Sequence, residues 1–134
     1  MLERIDHVGL AVDDLDAAVE HYRSTFGIEP THRERVDTQG VEEVLFEIGG
    51  SYIQLLGALA PQTPVGRFLE RHGAGMHHVA YRVADIEGAL EDLRRRGVRL
   101  IDDSPRAGSR GTTIAFVHPA SMGGVLVELV QEGR

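Results

Sequence analysis

The sequence predicts an α+β protein built from two tandem βαβββ modules, whose strands form one curved, mixed eight-stranded sheet around a cleft. Three observations carry that expectation: an internal repeat, period-two alternation of apolar residues after each repeated helix, and polar residues at equivalent places in the two copies. The segment IDHVGLAVDDLDAAVEHYRSTFGI is echoed by MHHVAYRVADIEGALEDLRRRGV, aligning His7 with His78, Val8 with Val79, Val12 with Val83, Asp14 with Asp85 and Ala18 with Ala89.

Each copy reads as a strand followed by a helix. From Ile5 to Val12 the side chains alternate, with Val8, Leu10 and Val12 on one face and His7, Gly9 and Ala11 on the other. Asp14 caps the first helix, Leu15, Ala18, Val19, Tyr22 and Phe26 form its apolar stripe, and Gly27 ends it. In the second copy Asp85 is the cap, Ile86, Ala89, Leu90 and Leu93 form the stripe, and Gly97 ends the helix. Strand signals follow at Thr31 to Arg35, Glu42 to Ile48 and Tyr52 to Leu56, with a turn at Gly49-Gly50. Their counterparts are a weak strand at Arg99 to Ile101, then Thr112 to His118, a Ser-Met-Gly-Gly turn, and Val125 to Val130. Between the copies, Thr63-Pro64 starts a short connecting helix that runs through Phe68-Leu69 to Gly73. The chain 1–134 is therefore expected to be one domain, with module one at 1–59, a connecting segment at 60–75 and module two at 76–134.

Composition removes several chemistries. The chain has no Cys, Lys, Trp or Asn, so all 14 of its basic side chains are Arg. A thiolate nucleophile, a disulfide framework, a cysteine-held zinc or iron–sulfur centre and a lysine Schiff base are excluded. Catalysis is left to His, Asp, Glu, hydroxyls, Arg or a metal on nitrogen and oxygen ligands. The formal net charge of -7 argues against nucleic acid and anionic membrane surfaces as partners. No apolar run reaches the length of a signal peptide or a membrane span, so the expected location is the cytoplasm.

A four-stranded sheet with a helix on one face leaves the other face to line a cleft. On that face the period of two places His7 beside Gly9 and Ala11, and His78 beside Ala80. Gln54 alternates with Ile53 and Leu55, and Glu128 with Val127 and Leu129, so both point away from an apolar face. Each of these four residues, taken singly, is more often a structural polar group. As first- and fourth-strand residues of two equivalent modules they form a set: two imidazoles, an amide oxygen and a carboxylate suit a divalent first-row ion with open positions for substrate. The predicted cleft is thus a metal-containing one, with about one net positive charge available to stabilise an enolate. In the strand from Glu42 to Ile48, Val44, Phe46 and Ile48 take the core face, leaving Glu43, Leu45 and Glu47 on the cleft face. Glu43 is a candidate general base, and its repeat counterpart is expected to be Thr113, which cannot act as one. His77 is expected on the helix side, and His21, His32 and His72 are assigned no role. His118 is expected to hydrogen-bond the following loop. Arg94, Arg95 and Arg96 read as a solvated last helical turn, and GSRG is too short for a phosphate loop.

These residues carry a resemblance to the methylmalonyl-CoA epimerase family of the vicinal oxygen chelate, or glyoxalase-like, superfamily. It rests on IDHVGLAV, DTQGVEEVLFEIG, YIQLLGAL, PVGRFLERHGAGMHHVAYRV, SPRAGSRGTTIAFVHP and GGVLVELVQ, in order across essentially the whole chain. The resemblance implies interconversion of (R)- and (S)-methylmalonyl-CoA, an isomerase reaction of propionate metabolism that proceeds by C2 proton abstraction through a metal-stabilised enolate. It places the metal ligands on His7, Gln54, His78 and Glu128 and the proton-transferring carboxylate on Glu43. Glu128 is the candidate for the second proton transfer that inversion requires. Cobalt(II) is the implied ion, with manganese, nickel, zinc and magnesium also compatible, and a homodimer is implied. The sequence names no coenzyme A contact. A glyoxalase-type lyase, which typically carries Glu where this chain has Gln54, an extradiol dioxygenase and a non-enzymatic drug-binding resistance protein are the alternatives on the same fold.

Overall fold

The alternation read in the first strand is present in the computed structural model, which describes residues 1–133. The elements in order are β1 (Leu2–Ala11), α1 (Leu15–Phe26), β2 (His32–Val36), β3 (Val41–Ile48), β4 (Ser51–Ala58), α2 (Pro64–His72), β5 (Gly75–Val83), α3 (Ile86–Arg95), β6 (Arg106–Ala107), β7 (Thr113–Val117) and β8 (Val127–Gln131). Short 3-10 turns lie at Asp37–Gln39, Ser109–Gly111 and Pro119–Ser121. The strands make one mixed eight-stranded sheet in the order β2-β3-β4-β1-β5-β8-β7-β6, with three α-helices. No described helix is long and apolar enough to cross a membrane.

Residue contacts divide the chain into two compact units. One unit spans His7–His77. Within it β1 runs parallel to β4, and β3 runs antiparallel to β4 and β2. The helix α1 is set by its caps: Asp14 Oδ1 accepts the Ala17 N–H at 3.0 Å, and Gly27 adopts φ 67°. Its stripe packs Val19 against Val44, Phe46 and Leu55, with Leu10, Val12, Leu15, Ala18 and Tyr22 closing over them. Tyr22 stacks on Phe46 with ring centroids 5.2 Å apart. Two residues assigned to this core by period lie outside it: Phe26 is 67% exposed and Ile48 53%. Each is the last residue of its element, where the underlying layer has already ended. The opposite sheet face is not left bare. Val65 of α2, with Phe68 and Leu69, packs on Ala11, Val36, Val41 and Leu56. Gly66 permits this approach, because a Cβ there would meet the Ala60 and Pro61 carbonyl oxygens at 2.4 and 2.5 Å. His77 packs its ring edge-on against Phe68, centroids 4.9 Å apart.

The other unit joins Met1–Asp6 to the chain from His78 onward. β5 runs parallel to β8, and β7 runs antiparallel to β8 and β6. Under α3, Ile86, Ala89 and Leu90 bury against Val83, Ala115, Val117, Val127 and Leu129. The helix ends in water as expected, with Arg94 reaching Glu91, and Arg95 and Arg96 both reaching Asp92. The weak strand expected at Arg99 to Ile101 reduces to a single bridge, Leu100 to Val117. Asp102 is the reason: its Oδ2 accepts the Phe116 N–H at 2.8 Å, so that donor is spent on a side chain and the ladder stops. Pairing resumes past Pro105 as β6, where Arg106 faces Ile114.

This unit also buries a charge. Asp6 has no exposed surface, and its carboxylate accepts from Arg82 (2.8 and 3.2 Å to Oδ1) and from Arg110 (3.1 Å to Oδ2). Arg110 reaches it from a backbone with φ 55°, the one non-glycine described residue at positive φ. Two guanidiniums offset the desolvation of one carboxylate, so loss of the acid leaves two largely covered guanidiniums, of which Arg82 keeps its contact with Glu132. Asp6→Ala should lower unfolding free energy by about 3 kcal/mol in urea titration. Arg33→Ala should cost less than about 1 kcal/mol, because the contacts of Arg33 to Asp16 and Glu42 are solvent-exposed.

Candidate metal and proton-transfer site

In the first unit the register sets the site. Gln54 on β4 lies opposite Gly9 on β1 and opposite Leu45 on β3, so the three side-chain positions share one face. His7 is two residues before Gly9 and Glu43 two before Leu45, which brings both to that face as well. His7, Glu43 and Gln54 are buried, Glu43 to 1% exposure.

The Gln54 amide Nε2 donates a hydrogen bond to Glu43 Oε2. That bond orients the amide, because with Nε2 committed to the carboxylate the carbonyl Oε1 must point elsewhere. Gln54 Oε1 and Glu43 Oε1 are both buried without a hydrogen-bond partner. Two orphaned buried acceptors are costly unless a cation or a proton donor completes them. A metal fits the first, since an amide oxygen is a good ligand for a hard or borderline divalent ion, and a transferred proton fits the second.

The second unit repeats the pattern. Glu128 on β8 lies opposite Ala80 on β5 and Phe116 on β7, and His78 is two residues before Ala80. His78 and Glu128 are buried, with His78 Nε2 3.1 Å from Glu128 Oε1, an imidazole and a carboxylate of the kind that hold a divalent ion. Phe116 meets the His78 ring edge-on at 5.8 Å between centroids. The same register corrects the counterpart of Glu43. Gln54 pairs with Leu45 as Glu128 pairs with Phe116, so Glu43 corresponds to Ile114, not Thr113. Thr113 is one residue away and on the other face of β7. The asymmetry is stronger than the sequence suggested, with a carboxylate in one copy and a buried isoleucine in the other.

His118 does what was expected of it: its Nδ1 accepts the Ala120 N–H at 2.9 Å. Two features had no place in the sequence account. Arg106 lies over the Phe116 ring, its guanidinium carbon 5.5 Å from the centroid, with its Nε 3.3 Å from Asp102 Oδ1. Its signal was only its spacing past Pro105. His32 Nε2 sits 2.8 Å from Glu34 Oε1, and Glu34 pairs across β2–β3 with Glu43.

The model of the Glyoxalase/Bleomycin resistance protein/Dioxygenase superfamily matches residues 6–116. The chain belongs to this superfamily. Within it, the chain is 37% identical over 133 residues to an ethylmalonyl-CoA/methylmalonyl-CoA epimerase of Cereibacter sphaeroides, covering 98% of this chain and 99% of that one. Among solved structures it superposes on a methylmalonyl-CoA epimerase in complex with methylmalonyl-CoA and NH4+ with a TM-score of 0.96, 45% identity, and coverage of 98% and 96%. A single-substitution variant of the Streptomyces coelicolor methylmalonyl-CoA epimerase, bound to 2-nitronate-propionyl-CoA, gives a TM-score of 0.96 at 44% identity with the same coverage. The eight-stranded mixed sheet with helices is the fold expected of the superfamily.

Proposed function

We propose that the protein interconverts the (R) and (S) forms of methylmalonyl-CoA by removing and returning the C2 proton. The observation that carries this is the buried Glu43 carboxylate, clamped through Oε2 by Gln54 and left with Oε1 unpartnered, in a chain 44–45% identical to structurally known methylmalonyl-CoA epimerases. His7, Gln54, His78 and Glu128 are the residues that would hold one divalent ion. Two neutral imidazoles, one amide oxygen and one carboxylate suit cobalt(II), with manganese, nickel, zinc and magnesium as competitors. When bound, the ion supplies Lewis-acid stabilisation of the charge that develops on the thioester oxygen as C2 loses its proton.

The protein's own groups do the rest. Glu43 Oε1 takes the proton, and burial among Leu45, Leu56 and Val41 keeps bulk water from competing for it. Gln54 holds the other carboxylate oxygen, so the base presents a single oxygen in one orientation. Inversion needs a second proton carrier, a role this reading gives to Glu128. The same reading takes the protein to be a cytoplasmic homodimer.

Metal-loaded protein incubated with one configuration of methylmalonyl-CoA in D2O should incorporate deuterium at C2 and yield both configurations. Exchange no faster than in buffer would overturn the proposal, and oxygen consumption would favour a dioxygenase. Gln54→Ala should weaken cobalt binding by about tenfold or more in equilibrium dialysis, while its folded circular dichroism spectrum is retained.

A further inference from the structure

His32, Glu34 and Glu43 stand outside the four metal ligands, yet each offers a ligand atom within 4.8 Å of the others. The arrangement follows from strand geometry. His32 and Glu34 are two apart on β2 and share a face, and Glu43 is the direct cross-strand partner of Glu34 on β3. His32 Nε2 is already 2.8 Å from Glu34 Oε1, and both side chains are about one-third exposed, so the pair is reachable from water. Glu43 closes the triangle from the buried side and carries the unpartnered oxygen. An acidic cluster alone would not define a site. A buried carboxylate that keeps one oxygen unpartnered, within reach of an imidazole and a second carboxylate, does.

We infer that His32, Glu34 and Glu43 form a second, inhibitory divalent-cation site. One imidazole and two carboxylates offset the ion's charge, and a ligand set of this type suits zinc. Tetrahedral bonds of roughly 2.0–2.2 Å put ligand atoms about 3.4 Å apart, within small rotamer adjustments of the present spacing. The fourth position is left to water. Occupancy has a defined consequence that rests on the proposed role of Glu43: an oxygen bound to a cation cannot take a proton, so the second ion silences the base. Gln54 stays bonded to Oε2, so the two cations are not required to compete for the same atom.

The test uses zinc chloride as the probe on metal-stripped full-length protein. Isothermal titration should show two binding events in the unaltered chain. His32→Ala and Glu34→Gln should each lose the weaker event, and His7→Ala should lose the tighter one. In the cobalt-loaded protein, excess zinc should slow C2 deuterium exchange by about tenfold or more, and His32→Ala should abolish that inhibition. Binding isotherms and zinc inhibition in His32→Ala and Glu34→Gln that match the unaltered chain would overturn the inference. If His7→Ala kept the tight event while His32→Ala lost the weak one, the four-ligand reading would fail and the second site would stand.

Discussion

The hydrogen bond from Gln54 to Glu43 is the constraint on which the site depends. It joins an amide and a carboxylate that would each be costly to bury alone, and it resolves the orientation of both. With Nε2 facing the carboxylate, the amide carbonyl is left for the cation in the proposed function. With Oε2 facing the amide, the remaining carboxylate oxygen is left for the proposed base. On that reading one interaction separates a ligand from a proton acceptor on adjacent strands. It works because β3 and β4 are in a register that sets Leu45 opposite Gln54 and leaves Glu43 two residues along the same face.

The repeat supplies the frame. In each unit a small residue of a first strand, Gly9 or Ala80, lies opposite the fourth-strand polar residue, Gln54 or Glu128, and a histidine precedes the small residue by two. Parallel pairing of the first and fourth strands makes that spacing transferable, since a register slip of one residue would send every one of these side chains to the helix face. The modules then diverge. Glu43 is replaced in the second copy by Ile114, and Phe116 meets the His78 ring edge-on.

Much of this was legible in the sequence. His7 and His78 could be placed because alternation with Val8, Leu10 and Val79 is strict, and the helices because Asp14, Asp85, Thr63-Pro64 and Gly27 are strong end signals. What failed did so where a side chain outcompeted the backbone or where pairing rather than period decided. Asp102 captured the Phe116 N–H and displaced the strand expected at Arg99 to Ile101. The counterpart of Glu43 was misassigned by one residue because only the ladder reveals register. Burial of Asp6 between Arg82 and Arg110 has no periodic signature, since its partners lie 76 and 104 residues away. The contact of His32 with Glu34 was within reach of a period of two, but its closeness to Glu43 needed the β2–β3 pairing.

The central claim, that one carboxylate oxygen of Glu43 carries the proton while Gln54 serves the metal, is tested most directly by Glu43→Gln. A glutamine there can still accept the Gln54 N–H, so the account predicts unchanged cobalt content and cobalt absorption spectrum, with C2 deuterium exchange lowered by about 10²-fold or more. Exchange at the unaltered rate with cobalt retained would contradict it.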